Sequence, residues 1–391
     1  MIITNAKIVT PGEVIEGSVV VEDGWIEDVA AGEVRARGEV IDARSRYLLP
    51  GLVDIHGDDL EFEISPRPFV RFPVDYALIN LDRKTIGCGI TTKLHAISNY
   101  EDVLKGRDPE KSAEILRTLS EIGPKLMANH WIHARCEVRS GLSDLFDVID
   151  DSYVKLVSVM DHMPGSGQFQ KDEHFKKYYQ QAYGMNGWEI EDLVRCKGEY
   201  DKIANVARVV EIARGRGIPV ASHDDDSQEM VEMIHQMGAE ISEFPVTISA
   251  ARTAKELGMM VSMGAPNTVR GRSSTGNLSA LDAIHEGLVD ILCSDYNPAS
   301  MLYAPFVLFH NGLMKLAEAV KMVSLSPARA IGINGQVGSI EAGKRADLVM
   351  VDEVNNIPVV SETIVGGVSV YSYGRMIAPS ASERICNSPQ I

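Results

Sequence analysis

The sequence predicts an α/β protein: one (β/α)8 barrel and a small β module built from both chain ends. Three observations carry this prediction. The long middle region alternates apolar strand-like runs with amphipathic helical stretches, the pattern of parallel βα repeats. Both chain ends are instead rich in short strands separated by turn residues. The length, 391 residues, suits one large barrel plus a smaller unit.

Taken in order, residues 1–10 read as a strand. GSVVVEDGWIEDVA reads as a hairpin around Asp23-Gly24, because Asp-Gly suits a two-residue turn. GEVIDARSRYLLP then leads out of this unit. Eight strand-like runs follow, at 48–56, 90–96, 131–138, 154–162, 218–224, 240–246, 258–266 and 289–295. KSAEILRTLSEIG and NVARVVEIARGRG are helical runs between them. Eight strands within about 250 residues indicate a closed barrel rather than an open sheet. KRADLVMVDE and VSETIVGGVSVYSYGRMIA regain strand character and should pair with the N-terminal strands. The expected division is 1–50 and 338–391 for the two parts of the end module and 51–337 for the barrel.

The formal net charge of −17 argues against a general nucleic-acid or anionic-membrane surface. It leaves room for an anionic small substrate, because a local cluster of arginines overrides the global sign. No apolar run approaches the roughly 20 residues of a membrane helix. The N-terminus lacks the charged and apolar regions of a secretory signal, so the chain is expected to be soluble. Cys88, Cys136, Cys196, Cys293 and Cys386 are scattered and form no CxxC pair. That fits a reducing cytoplasm and gives no disulfide frame or cysteine zinc site.

Barrel enzymes place their chemistry where strands end, and here polar residues recur at strand ends. The first strand ends in His56-Gly57-Asp58, whose imidazole and carboxylate are two apart and can point the same way. On the third, His133, Arg135 and Glu137 alternate and share a face. The fourth ends in Asp161-His162, the fifth in Ser222-His223-Asp224-Asp225-Asp226, and the eighth in Ser294-Asp295. Nitrogen and oxygen donors of this kind suit Zn²⁺, Mn²⁺ or Fe²⁺. The predicted ligands are His56, Asp58, Glu137, His162, His223 and Asp295. They suffice for two ions if one carboxylate bridges, and Glu137 is the natural bridge. A metal-activated water supplies a nucleophile near neutral pH, and Asp295 is the expected group to take its proton. His133 sits deeper and should support rather than ligate, and His95 is a weak candidate. His130, His174, His235, His285 and His310, read as lying in loops or helical runs, are assigned to packing or the surface.

These residues resemble the amidohydrolase superfamily. The marks are Pro50-Gly51-Leu52-Val53-Asp54-Ile55-His56, Gly89-Ile90-Thr91-Thr92, and Gly343-Lys344-Arg345-Ala346-Asp347-Leu348-Val349. A closer resemblance, to the PhnM-type diphosphatases of phosphonate degradation, rests on His56-Gly57-Asp58, Pro66-Arg67-Pro68, Arg135-Cys136-Glu137 and Met160-Asp161-His162-Met163-Pro164-Gly165 with Gln168-Phe169. It continues through Ser222-His223-Asp224-Asp225, Met263-Gly264-Ala265-Pro266-Asn267 with Val269-Arg270-Gly271, Thr275-Gly276-Asn277, and Ser294-Asp295-Tyr296 with Pro298. Thr275, Arg272 and the acidic, apolar stretch 59–64 depart from that pattern.

The resemblance implies a distorted TIM-type (β/α)8 barrel with a β-sandwich from both chain ends. It implies hydrolysis of a ribose 1-alkylphosphonate 5-triphosphate to the 5-monophosphate and pyrophosphate, with divalent metal as cofactor. Arg67, Arg135 and Arg270 are then candidates for phosphate oxygens, with Gly271 and Asn277 in the loop after the seventh strand. The long connection from Gly165 to Lys202, with its lysines and tyrosines, is expected to form a lid. Expected partners are a phosphorylated small molecule and further copies of the chain, with no nucleic acid and no membrane. The alternative enzyme is a cyclic-amide hydrolase or nucleobase deaminase, which would use the same activated water on carbon. A scaffold that had lost catalysis would lack the ligand set.

Overall fold

The computed structural model describes residues 1–32, 34, 38–67, 70–98, 109–138, 152–161, 173, 176–177, 179–180, 184–195, 201–273 and 276–373. Two eight-stranded sheets organise them. The first gathers the chain ends. It contains β1 (Ile2–Val9), β2 (Val14–Glu22), β3 (Trp25–Ala31), β4 (Val40–Asp42) and β5 (Tyr47–Pro50). The second contains β6 (Leu52–Gly57), β7 (Ile90–Ser98), β8 (Asn129–Glu137) and β9 (Val154–Met160). It goes on through β10 (Val220–His223), β11 (Ile241–Glu243), β12 (Met260–Gly264) and β13 (Ile291–Cys293). The chain then returns to the first sheet with β14 (Leu348–Val354), β15 (Ile357–Val365) and β16 (Val368–Ser372).

All neighbours from β6 to β13 are parallel and in sequence order. A parallel bridge between Gly57 and Asp295 joins the last strand to the first and closes the barrel. All eight strand-like runs of the sequence are present: the first divides between β5 and β6, β7 runs two residues longer, β8 starts two residues earlier, and the rest are trimmed. The short strands β10, β11 and β13 end where the chain turns into the site.

Side-chain alternation sorts the barrel into two layers. Val53, Ile55, Leu94, Leu156, Ala221, Ile241 and Ile291 form one buried cluster, one or two residues from each of six strands. Ile132, Ala134 and Cys136 of β8 belong to the larger cluster that includes the surrounding helices. His133, Arg135 and Glu137 have the opposite parity, as the sequence predicted. Helices after β9, β10 and β11 start on side-chain caps: Asp201, Ser227 and Thr247 accept from backbone N–H groups three residues on.

In the end sheet, β14 pairs antiparallel with β5, and β5 runs parallel to β1. The two chain ends therefore share one sheet, ordered β16-β15-β14-β5-β1-β2-β3 with β4 also on β1. The predicted hairpin forms at Asp23 and Gly24, both with positive φ as a two-residue turn of this type requires. Gly89 locks this sheet to the barrel: its φ is +79°, and a Cβ there would meet Val349 Cγ1 at 2.9 Å.

Candidate metal centre

Three strand ends meet at one carboxylate. Glu243, the last residue of β11, is fully buried. Its Oε1 lies 2.8 Å from Nδ1 of His56, and its Oε2 lies 2.9 Å from Nδ1 of His223. The two imidazoles stack with ring centroids 5.6 Å apart. Among the described residues these three are the group able to hold a metal ion through atoms within 4.8 Å of one another. Phe244 packs edge-on against both rings, with centroids at 5.0 and 5.4 Å.

The backbone at these strand ends is unusual. Asp224, Phe244 and Asp295 have φ of 58°, 53° and 52°. Such values are rare for residues with a side chain, most of all for a bulky one, and they collect at functional sites. Each is held by a cross-strand bond: Asp224 N donates to Glu243 O, Phe244 N to Ser262 O and Asp295 N to His56 O, all at 2.9 Å. Left-handed turns here let the chain leave the sheet while keeping these bonds.

Further charges surround the trio. Asp58 Oδ1 lies 3.4 Å from His56 Nε2. Arg135 donates to Asp58 Oδ1 at 3.3 Å and to His223 Nε2 at 2.9 Å. Asp224 Oδ2 lies 3.7 Å from His223 Nε2. Gly264 leaves open the space beside Asp295, since a Cβ there would sit 3.5 Å from Asp295 Oδ2.

The electrostatics follow from this crowding. Burial opposes a charge on His56, but the Glu243 and Asp58 carboxylates overcome it and raise its pKa to about 10. Burial likewise opposes ionisation of Glu243, yet the surrounding imidazoles hold its pKa well below the usual carboxylate range. Asp295 is pushed up to about 6 by burial and by the Asp58 carboxylate, against His56 and Arg135. Burial drives Asp224 up to about 7. His133 is pushed down to about 3, chiefly by burial. It donates from Nδ1 to Ile55 O at 3.0 Å and turns Nε2 toward Glu243 Oε2 at 3.9 Å.

Of the six predicted ligands, the structure brings His56, Asp58, His223 and Asp295 together. Glu137 ends β8 and is buried, but the carboxylate between the two imidazoles is Glu243. Glu243 was missed because EISEFPV holds no histidine or His-Asp motif beside it, and Glu240 is a second glutamate in the same run; its place at a barrel strand end was the available signal. His162 lies outside the described residues, and its neighbour Asp161 pairs with Lys202 at 3.0 Å. Arg135 sits inside the cluster, bound to two predicted ligands. Arg270 lies at the mouth, where it donates to the Tyr296 hydroxyl at 3.4 Å. Gly271 caps the short helix before it with φ +72°. Arg67 is exposed and Asn277 half-buried, with neither joined to the trio. About half of the expected lid falls outside the described residues; the other half includes the helix Gly187–Arg195.

His95 and His130 belong elsewhere. His130 lies in β8, not in a loop, and both rings are buried. His130 bonds His95 at 2.9 Å and Asp82, on the helix Val74–Gly87, at 3.0 Å. This chain of three ties a helix to the barrel, away from the trio.

A model of the amidohydrolase family matches residues 85–370. The chain is 38% identical over 371 residues to the alpha-D-ribose 1-methylphosphonate 5-triphosphate diphosphatase of Escherichia coli K12, covering 91% of this chain and 96% of that protein. It is 25% identical over 395 residues to an imidazolonepropionase of Treponema denticola, covering 90% and 89%. Among solved structures, a Xaa-Pro dipeptidase with bound methionine superposes with a TM-score of 0.67 at 15% identity, covering 95% and 99%, a likeness of fold. On its barrel, its strand-end cluster and these similarities, the chain belongs to the amidohydrolase family.

Proposed function

We propose that this chain is a metal-dependent diphosphatase. It cleaves a ribose 1-alkylphosphonate 5-triphosphate to the 5-monophosphate and pyrophosphate, in phosphonate catabolism. The observation that carries this reading is the near full-length, 38% identity with the Escherichia coli diphosphatase.

The donor set fits a divalent cation: imidazoles and carboxylates converge on buried and half-buried positions. Nε2 of His56, Nε2 of His223, Asp58 and Asp295 would hold it, and Glu137 with His162 completes a set for two ions. Zn²⁺ or Mn²⁺ is the preferred occupant, and Fe²⁺ suits the same donors. Bound there, the cation supplies Lewis acidity toward a phosphoryl oxygen and activates a water near neutral pH.

The protein groups do the rest. Glu243 accepts from both Nδ1–H groups, which orients the two rings and leaves Nε2 of His56 facing Asp58 and Nε2 of His223 facing Arg135. The Asp295 carboxylate, just past the last barrel strand, takes the proton of the attacking water and returns it to the leaving pyrophosphate. Arg270, with Arg67, Gly271 and Asn277, offers guanidinium and loop contacts to the phosphate chain. The thiols of Cys88, Cys136 and Cys293 are free, which supports a reducing cytoplasm as its setting.

The test is ³¹P NMR of the Zn²⁺- or Mn²⁺-loaded protein with ribose 1-methylphosphonate 5-triphosphate and, separately, a nucleoside triphosphate. Pyrophosphate should appear with the first, and Asp295→Asn should slow its release by about 10²–10⁴-fold. No change in phosphorus, with metal bound, would reject the diphosphatase reading and favour hydrolysis of a cyclic amide or deamination.

A further inference from the structure

Arg135 holds two of the groups assigned above to a cation. Its Nη2 donates to His223 Nε2 at 2.9 Å, and its Nη1 to Asp58 Oδ1 at 3.3 Å. The side chain is 7% exposed, so both contacts are shielded from bulk water. An imidazole nitrogen has one lone pair, and a nitrogen accepting from a guanidinium has none left for a metal. His223 has no second choice, because its Nδ1 already meets Glu243 at 2.9 Å. Arg135 and a divalent cation therefore exclude one another at His223.

A second observation concerns the other edge of the same guanidinium. Arg135 Nε is buried and finds no hydrogen-bond acceptor among the described residues. A buried donor left unmade is costly, and an Nε/Nη edge is the planar fork that anionic oxygens match. The present contacts thus satisfy Arg135 only in part.

We propose that Arg135 is an exchangeable internal cation of this site. It balances Asp58 and caps His223 until a divalent cation takes those donors, and it is then handed to an anionic oxygen of the substrate through Nε–H and an Nη–H. The proposal rests on the reading that the cluster of His56, His223 and Glu243 holds a divalent cation. It makes binding ordered, with the cation first and the phosphorylated substrate second.

The test measures Zn²⁺ affinity of the full-length protein by competition with a chromophoric chelator. Wild type is compared with Arg135→Gln and Arg135→Lys. Both variants should bind Zn²⁺ about tenfold tighter or more, because no guanidinium competes for His223. A supporting role for Arg135 predicts the opposite sign, a loss of about 10–100-fold. Arg135→Lys keeps the charge, so tightening there reports the lost contact rather than the general field. In Arg135→Ala, millimolar guanidinium chloride should weaken Zn²⁺ binding, and it should leave the wild type unchanged. Inorganic pyrophosphate should bind the Zn²⁺-loaded wild type more tightly than Zn²⁺-loaded Arg135→Gln. Where the Gln variant does not fold, the Lys variant and the guanidinium competition decide. Zn²⁺ binding that is unchanged or weaker in the folded variants overturns the proposal. Zn²⁺ binding that is undiminished in His56→Ala shows instead that the cation reading itself has failed.

Discussion

At Glu243 one carboxylate accepts from two imidazoles, and no neutral isostere can repeat that. In Glu243→Gln the amide oxygen can serve one Nδ1–H, but the NH₂ group then faces the other as donor against donor. Metal affinity should fall about 10–100-fold, read by chelator competition, with the fold retained by circular dichroism. Lys93 carries a different burden. It is fully buried between Asp54 and Asp59, with Nζ at 2.9 and 3.1 Å from their oxygens, and Ser294 also donates to Asp54 at 2.6 Å. Gly57 makes room for it, since a Cβ there would stand 2.6 Å from Lys93 Nζ. In Lys93→Met two carboxylates would remain buried without their cation. A loss of about 3–5 kcal/mol is expected from urea unfolding; a loss under about 1 kcal/mol would show that the pair matters little.

At the scale of elements, Asp82 anchors the helix Val74–Gly87 to β8 and the residues just before it, and through His130 to His95 of β7. Burial works to raise the Asp82 pKa, but donation from His130 and from the backbone of Met127 and Ala128 outweighs it and holds the pKa low. A carboxylate lowered on folding contributes stability that is present above its unfolded pKa, near about 4, and lost as pH falls through the folded value. Wild type should therefore exceed Asp82→Asn in stability by about 1–3 kcal/mol at neutral pH, and the two should converge in acid. A difference that stays constant from pH 7 to pH 3 would exclude this assignment. The strands were readable from their own residues, because apolar runs and turn residues are local signals. The left-handed turns at Asp224, Phe244 and Asp295 were not, since nothing in a phenylalanine announces a positive φ. His130 was misread as a loop residue for a related reason: its burial depends on an aspartate 48 residues away.

For the molecule as a whole, the end sheet makes the fold depend on both termini at once. β5 lies between β1 and β14, so the strand that leads into the barrel is flanked by the first and the late segments of the chain. Removing residues from Ala346 onward would expose the edge of β5 and the apolar faces of Ile8, Leu48 and Ile340. Such a chain should be recovered mainly as aggregate. A soluble, metal-binding truncation would show that the barrel stands alone.

The sequence by itself determined the barrel, its eight strands, the joining of the chain ends and the two imidazoles of the central trio, but not its carboxylate. His56 and His223 stand in recognisable strand-end motifs, and such motifs follow from short-range pattern. Only the tertiary structure decided which strand ends touch. His56 and Glu243 are 187 residues apart, and Arg135 and His223 are 88 apart. Their meeting depends on the curvature that brings β11 round to face β6 across the barrel mouth. Whether Arg135 faces a phosphate or a histidine is likewise a matter of distance, which composition and spacing along the chain do not contain.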